Sequence, residues 1–196
     1  MQKQKDYWSG KDGDEYTQRN LGRVEQNTVM FAKILPLVHN VDSVIEFGAG
    51  AGENLKAIHA LRPSWELWAV ELNKIAAGYI SVGNVLIGSM LEVSIPYACD
   101  LVLTKGLLIH IHPDDLPRAY QVLFQSSKRY ILICEYYSPK PAMIPYRGAL
   151  NRLWKRDFAG EMLDRYPQLK LVDYGFVYHR DRYPQDDLNW FLLKKI

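Results

Sequence analysis

The sequence predicts a doubly wound α/β fold, one mostly parallel sheet with helices on both faces, and three observations carry that expectation. From residue 41 short apolar runs alternate with helical patterns in a βαβα order. The runs are continuously apolar rather than alternating, as strands are when helices cover both sides. A glycine-rich turn follows the first run, where such sheets bring bare backbone up to a ligand.

Residues 6–22 mix aromatics, glycines and charges without a steady period. They read as an ordered loop or short helix, because Trp8 and Tyr16 need apolar surroundings. Residues 23–38 space Val24, Met30, Phe31, Ile34, Leu35 and Val38 near the helical period, and Pro36 to Asn40 ends that helix. Val41 to Phe47 is the first strand and Glu53 to Leu61 a helix. Leu67 to Leu72 is a strand, Lys74 to Ile80 a short helix and Val82 to Ile87 a strand. Asp100 to Thr104 is a strand, Asp114 to Ser126 a helix and Tyr130 to Glu135 a strand. After Pro139, Pro141 and Pro145, residues 155–165 read as helical. Leu169 to His179 and Leu188 to Lys194 are strand-like runs joined by a polar loop, hence antiparallel.

Composition narrows the classes. Lys and Arg number 24 against 22 Asp and Glu, a net charge of +2, which argues against a surface built to neutralise nucleic-acid phosphates. Cys99 and Cys134 stand at no metal-ligand spacing and suit a reduced, cytoplasmic setting; no metal is expected. The first residues are polar with no apolar segment behind them, and no run reaches the roughly 20 apolar residues that cross a bilayer. Aromatic residues, at 12%, exceed what a core alone needs.

The chemistry concentrates in Val44-Ile45-Glu46-Phe47-Gly48-Ala49-Gly50-Ala51-Gly52-Glu53-Asn54-Leu55. Glycines at alternate positions leave a strand and open a helix, whose free N–H groups carry partial positive charge. Glu71 ends the next strand, 19 positions beyond Gly52, where an acid meets ribose hydroxyls in such folds. A nicotinamide fingerprint wants a further glycine at position 53, which is Glu. A glycine turn without ligand is the bland alternative.

An acid followed by G-x-G-x-G resembles motif I of class I S-adenosylmethionine-dependent methyltransferases. The resemblance implies a Rossmann-like, seven-stranded sheet closed by an antiparallel C-terminal pair. It implies S-adenosyl-L-methionine as cofactor, with Glu46, Gly48, Gly50 and Gly52 around its amino-acid half and Glu71 and Leu72 at the ribose. Further blocks include Trp8-Ser9-Gly10, Gly13-Asp14-Glu15-Tyr16, Leu108-Ile109-His110-Ile111, Glu135-Tyr136-Tyr137-Ser138-Pro139 and Lys155-Arg156-Asp157-Phe158-Ala159-Gly160. These resemble a bacterial family of pseudaminic acid biosynthesis-associated methylases. On this reading one domain comprises an N-terminal arm and helix (1–40), a cofactor-binding core (41–135), an acceptor-side insert (136–168) and a C-terminal strand pair (169–196).

Individual residues then take expected roles beside blander ones. Ser89 and Met90 follow the third strand, where the resemblance implies adenine contact, or form an ordinary loop. Lys105 to His110 closes the fourth strand on the ligand side. Lys105 is expected at the cofactor, and His110 is a general base or packs beside it. Glu135 and Tyr136 end the fifth strand and are candidates to orient an acceptor, with Tyr137 and Tyr146 contributing aromatic faces to it. Arg147, Arg152, Lys155 and Arg156 form the densest basic cluster, either a solvated helix face or a grip on an anionic acceptor. By resemblance to small methyltransferases with N-terminal arms, Tyr16 and Arg19 cover the cofactor, with Arg19 near its carboxylate. The expected reaction is methyl transfer to an oxygen or nitrogen of a small, anionic acceptor: a sugar, nucleotide-sugar or phosphorylated metabolite, in surface-glycan biosynthesis. The expected protein is a monomer or homodimer that binds neither membrane nor nucleic acid. Nucleic-acid or protein methylation, and then nicotinamide-dependent oxidation, are the alternatives.

Overall fold

In the computed structural model, which describes residues 2–196, the chain forms nine strands. They are β1 (Ser43–Phe47), β2 (Glu66–Glu71), β3 (Asn84–Ile87), β4 (Cys99–Lys105), β5 (Ser127–Glu135), β6 (Ala142–Tyr146), β7 (Ala149–Lys155), β8 (Leu169–Val177) and β9 (Leu188–Lys195). The helices are α1 (Gln2–Ser9), α2 (Lys11–Arg19), α3 (Val24–Ile34), α4 (Glu53–Leu61), α5 (Lys74–Ala77), α6 (Leu116–Ser126) and α7 (Phe158–Arg165). Seven strands make one sheet in the order β3-β2-β1-β4-β5-β9-β8, with β9 antiparallel to β5 and to β8. The first five pair in parallel, and the strand order reverses between β1 and β4. That switch point opens a crevice beyond the carboxyl ends of β1 and β4.

Every residue of β1 is buried, because successive side chains enter different cores. Val44, Leu101, Leu103 and Leu132 meet Phe31 and Ile34 of α3 and Leu55 and Ile58 of α4. Ile45, Val102, Ile131 and Ile133 meet Leu116, Tyr120 and Leu123 of α6 and Phe158 and Met162 of α7. This is the physical origin of the continuously apolar strands. Among the described residues no helix is long and apolar enough to cross a membrane.

Two segments differ from expectation. The arm is helical, as expected, but residues 6–22 hold the second half of α1 and all of α2 where one loop or short helix was expected, and Gly13 lets the two helices close. A Cβ there would stand 2.0 Å from the Trp8 carbonyl oxygen and 2.9 Å from the Asn73 amide nitrogen. Gly13→Ala is therefore expected to lift α1 off α2 while leaving the sheet intact. Limited proteolysis should cut the arm faster, with the main thermal transition little changed.

The second difference is the insert, where β6 and β7 form a hairpin of their own, outside the main sheet. Its turn is Arg147-Gly148, with φ of 51° and 74°, the pattern of a two-residue type I′ turn. The helix expected over 155–165 starts only at Phe158. Here Asp157 caps it by accepting the Gly160 N–H at 2.8 Å, while Lys155 still belongs to β7.

Candidate active site

The glycine turn connects two cavities at the switch point. Gly48 has φ of +72°, and a Cβ on it would lie 2.9 Å from the Leu107 side chain. Gly50, at φ +55°, has no atom within 4 Å of where its Cβ would stand, so it leaves bare backbone open to a ligand. The first cavity spans about 1040 Å³ and runs from this turn past Glu71, Leu72, Ser89 and Met90, under Trp8 and Tyr16 of the arm. The second spans about 1200 Å³ and is walled by Arg23, Tyr136, Tyr146, Gln185 and Asp186. Tyr16, Gly48, Gly50, Lys105 and His110 border both. Gly52 borders neither; it is the left-handed N-cap of α4.

Glu71 anchors the first cavity. One carboxylate oxygen accepts the Gly50 N–H and the other the Asn73 N–H, each at 2.7 Å. Burial pushes its pKa up and these N–H groups pull it down. Each oxygen keeps lone-pair capacity for a further donor. Asn73 in turn donates to the Trp8 carbonyl at 3.1 Å and to Asp14 at 2.7 Å, which ties the arm to the end of β2.

Glu46 lies behind the turn, with no solvent exposure. One oxygen accepts the Asn54 amide N–H at 2.6 Å; the other has no hydrogen-bond partner among the described residues. Burial pushes its pKa up to about 8, against the lowering pull of the Asn54 bond and the Lys105 ammonium. Burial likewise lowers the Lys105 pKa.

His110 sits in a short 3-10 turn (Leu108–His110) between aromatic rings, 4.4 Å from Trp8 and 5.3 Å from Tyr146 by centroid. Its Nδ1 is 2.7 Å from the Arg152 carbonyl oxygen. A carbonyl only accepts, so Nδ1 carries the proton and Nε2 is the ring's lone-pair acceptor. Burial lowers its pKa to about 4, so the ring is neutral at ordinary pH.

Several expected site residues lie elsewhere. Glu135 borders neither cavity; its carboxylate accepts the Leu107, Leu108 and Ile109 N–H groups at 3.0, 2.9 and 3.4 Å. It holds the turn that carries His110. Burial raises its pKa to about 7, with those N–H groups opposing. Glu135→Ala would orphan three backbone donors, at about 1–3 kcal/mol each. The variant is expected to lower the thermal transition more than Glu135→Gln, which keeps an acceptor oxygen for two of them.

Arg19 is exposed and 3.9 Å from Glu15, because α2 ends there and the chain reverses at Gly22. Arg23, beyond that reversal, is the arm-side cation at the second cavity. The basic cluster is dispersed rather than pooled, since neighbours on a strand face opposite ways. Arg147 occupies the hairpin tip over the Tyr146 ring, and Arg152 lies 3.8 Å over the Tyr7 ring. Lys155 is 5.1 Å over the Tyr136 ring, and Arg156 pairs with Glu161 at 2.6 Å. None of the four borders either cavity, and neither does Tyr137, which packs outside against Phe191. Gln185 and Asp186, passed over in the sequence, reach the second cavity from the loop before β9. Antiparallel pairing of Asn189 with Glu135 brings that loop to the ligand end of the sheet.

No family model and no curated protein matches the chain. Solved structures do. A 1,6-didemethyltoxoflavin-N1-methyltransferase from Burkholderia thailandensis, with its acceptor and S-adenosylhomocysteine bound, superposes at a TM-score of 0.70 and 15% identity, over 98% of this chain and 86% of that one. Magnesium protoporphyrin IX methyltransferase from Synechocystis, with S-adenosylhomocysteine bound, gives 0.68 at 11% identity over 98% of both chains. An S-adenosylmethionine-dependent methyltransferase from Clostridium acetobutylicum gives 0.65 at 11% identity, over 93% and 95%. The fold is the Rossmann-like methyltransferase fold.

Proposed function

We propose that the protein is an S-adenosylmethionine-dependent methyltransferase acting on an oxygen or nitrogen of a small acceptor. One observation carries this reading: two cavities meet over the open Gly50 backbone, with a buried carboxylate, Glu71, in the first and a neutral histidine on the shared wall. Two fold neighbours hold S-adenosylhomocysteine, which supports the same assignment.

The residues fit that cofactor. Glu71 has lone pairs left for ribose hydroxyls, Gly50 leaves room at the backbone, and Leu72, Ser89 and Met90 offer a mixed surface for a base. The bound cofactor supplies an activated methyl group. The protein's share is then positioning, water exclusion and proton handling. Trp8 and Tyr16 cover the crevice from the arm, and Tyr136 and Tyr146 wall the acceptor side. His110 takes the acceptor's hydroxyl or amine hydrogen at Nε2, with its ring orientation fixed by the Arg152 carbonyl.

The acceptor in this reading is anionic: a sugar, nucleotide-sugar or phosphorylated metabolite of surface-glycan biosynthesis. Arg23 and Lys105 in the second cavity support the anionic part in place of the dispersed basic cluster. The resemblance to pseudaminic acid-associated methylases supports the glycan part. Titration calorimetry with S-adenosylhomocysteine tests the cofactor assignment: micromolar binding is expected, and a flat titration overturns the enzyme reading.

A further inference from the structure

The free end of the main sheet carries an apolar face that nothing in the described chain covers. β8 pairs with β9 alone, so its outer edge is open. Leu171, Tyr174, Phe176 and Tyr178 are 44, 64, 54 and 43% exposed. Leu171 pairs with Leu193 and Tyr174 with Phe191, which puts these side chains on one side of the sheet. The rings form two groups along the strand. Tyr174 stacks on Phe191 at 6.1 Å, Tyr137 meets the same ring at 5.8 Å, and Phe176 lies 6.0 Å from Tyr178.

We infer that this face is where two copies of the chain associate about a two-fold axis. The first reason is size. Aromatic side chains bury 150–250 Å² when covered, so half-exposed ones leave on the order of 100 Å² each. With Leu171 and the bulged Val172 the patch comes to roughly 600 Å² per copy, at the top of what a monomer usually exposes. Two such patches together bury about 1,200 Å², the lower bound of a specific interface.

The second reason is chemical. A two-fold axis sets a patch against itself, so any uncompensated charge at its centre would meet its own like. Residues 171–178 hold a single charge, Asp173, and its carboxylate accepts the Tyr174 N–H at 2.8 Å. An uncharged, tyrosine-rich surface tolerates a copy of itself, whereas a charged ligand would find no counter-charge within it. Tyr and Phe are also the residue types that interface cores concentrate.

Sedimentation velocity across about 1 to 100 μM tests the inference, a range that resolves micromolar self-association. The wild-type protein is expected to sediment as a dimer. Tyr174→Glu with Phe176→Glu is expected to weaken the dimer at least about tenfold, as loss of interface anchors does. Both positions are exposed, so circular dichroism and the thermal transition should not change. Ile75→Glu, at an exposed position on α5 at the opposite end of the sheet, should leave the dimer as it is. A monomer at the highest concentration overturns the inference, and so does a double substitution that leaves the dimer's dissociation constant unchanged. So does a monomer that floats with anionic phospholipid vesicles, an outcome that would make this face a lipid contact.

Discussion

Glu71→Ala is expected to weaken S-adenosylhomocysteine binding by at least about 100-fold, because the carboxylate acts on both sides of the contact. Toward the protein it accepts the Gly50 and Asn73 N–H groups, fixing the glycine turn and the start of α5. Toward the cavity it offers the remaining lone pairs to ribose hydroxyls. Hydrogen bonds to a charged group contribute about 1.5–3 kcal/mol each, so losing two already exceeds a hundredfold. Glu71→Gln keeps one acceptor oxygen and turns the other into a donor, so it should fall between alanine and wild type. Calorimetry reads the affinity, and the thermal transition of the free protein reads the loss of the internal bonds. Wild-type affinity in the alanine variant would leave Glu71 as a clamp on the turn and nothing more.

That part of the site was legible because its signals are local. A glycine turn after a strand and an acid closing the next one are fixed by short stretches of chain, and the structure brings Gly50 and Glu71 into contact. The parallel pairing of the first five strands follows from the same alternation. What escaped depends on distant pairing or on turn geometry. In β6, Pro145 interrupts the apolar residues, and burial alternates along the strand, so no continuous run announces it. The turn uses Arg147 at positive φ, where Asn or Asp is the usual hairpin signal. Grouping the basic residues from 147 to 156 as one patch rested on their closeness in the sequence. On a strand, residues three apart face opposite ways, and the cluster falls apart. Glu135 was drawn to the acceptor by its place at a strand's carboxyl end, yet its fate was set by three N–H groups some 27 positions away in the chain. Arg23 was missed because α2 ends at Arg19 and Gly22, at φ 82°, turns the chain before it.

Stability is expected to be highest in mildly acid medium, near pH 4 to 5, and to fall as pH rises from there, and Glu46 is the main cause. Its carboxyl has an ordinary pKa of 4.5 in the open chain and one of about 8 in the folded protein. Between those values the native state holds a proton that the unfolded state has released. Glu46 therefore contributes fully below about pH 4.5, and that contribution drains away as pH rises to about 8. At 1.36 kcal/mol per pH unit, the loss by pH 8 is about 4 kcal/mol. Glu135, raised to about 7, adds to the loss with the same sign. His110 works in the opposite sense: its pKa falls from 6.5 to about 4, so its contribution is complete above 6.5 and is lost as acid is added. Between about pH 4.5 and 6.5 the His110 gain offsets only one of the two carboxyl losses, so the optimum lies near pH 4 to 5. Glu46→Gln removes the ionisation and keeps an amide oxygen to accept from Asn54. Its thermal transition is expected to vary much less between pH 6 and 9 than that of the wild type, and to lie above it at the alkaline end. Parallel profiles for the two proteins would mean that Glu46 is already ionised in the folded state, with the Lys105 ammonium stabilising the charge that burial opposes.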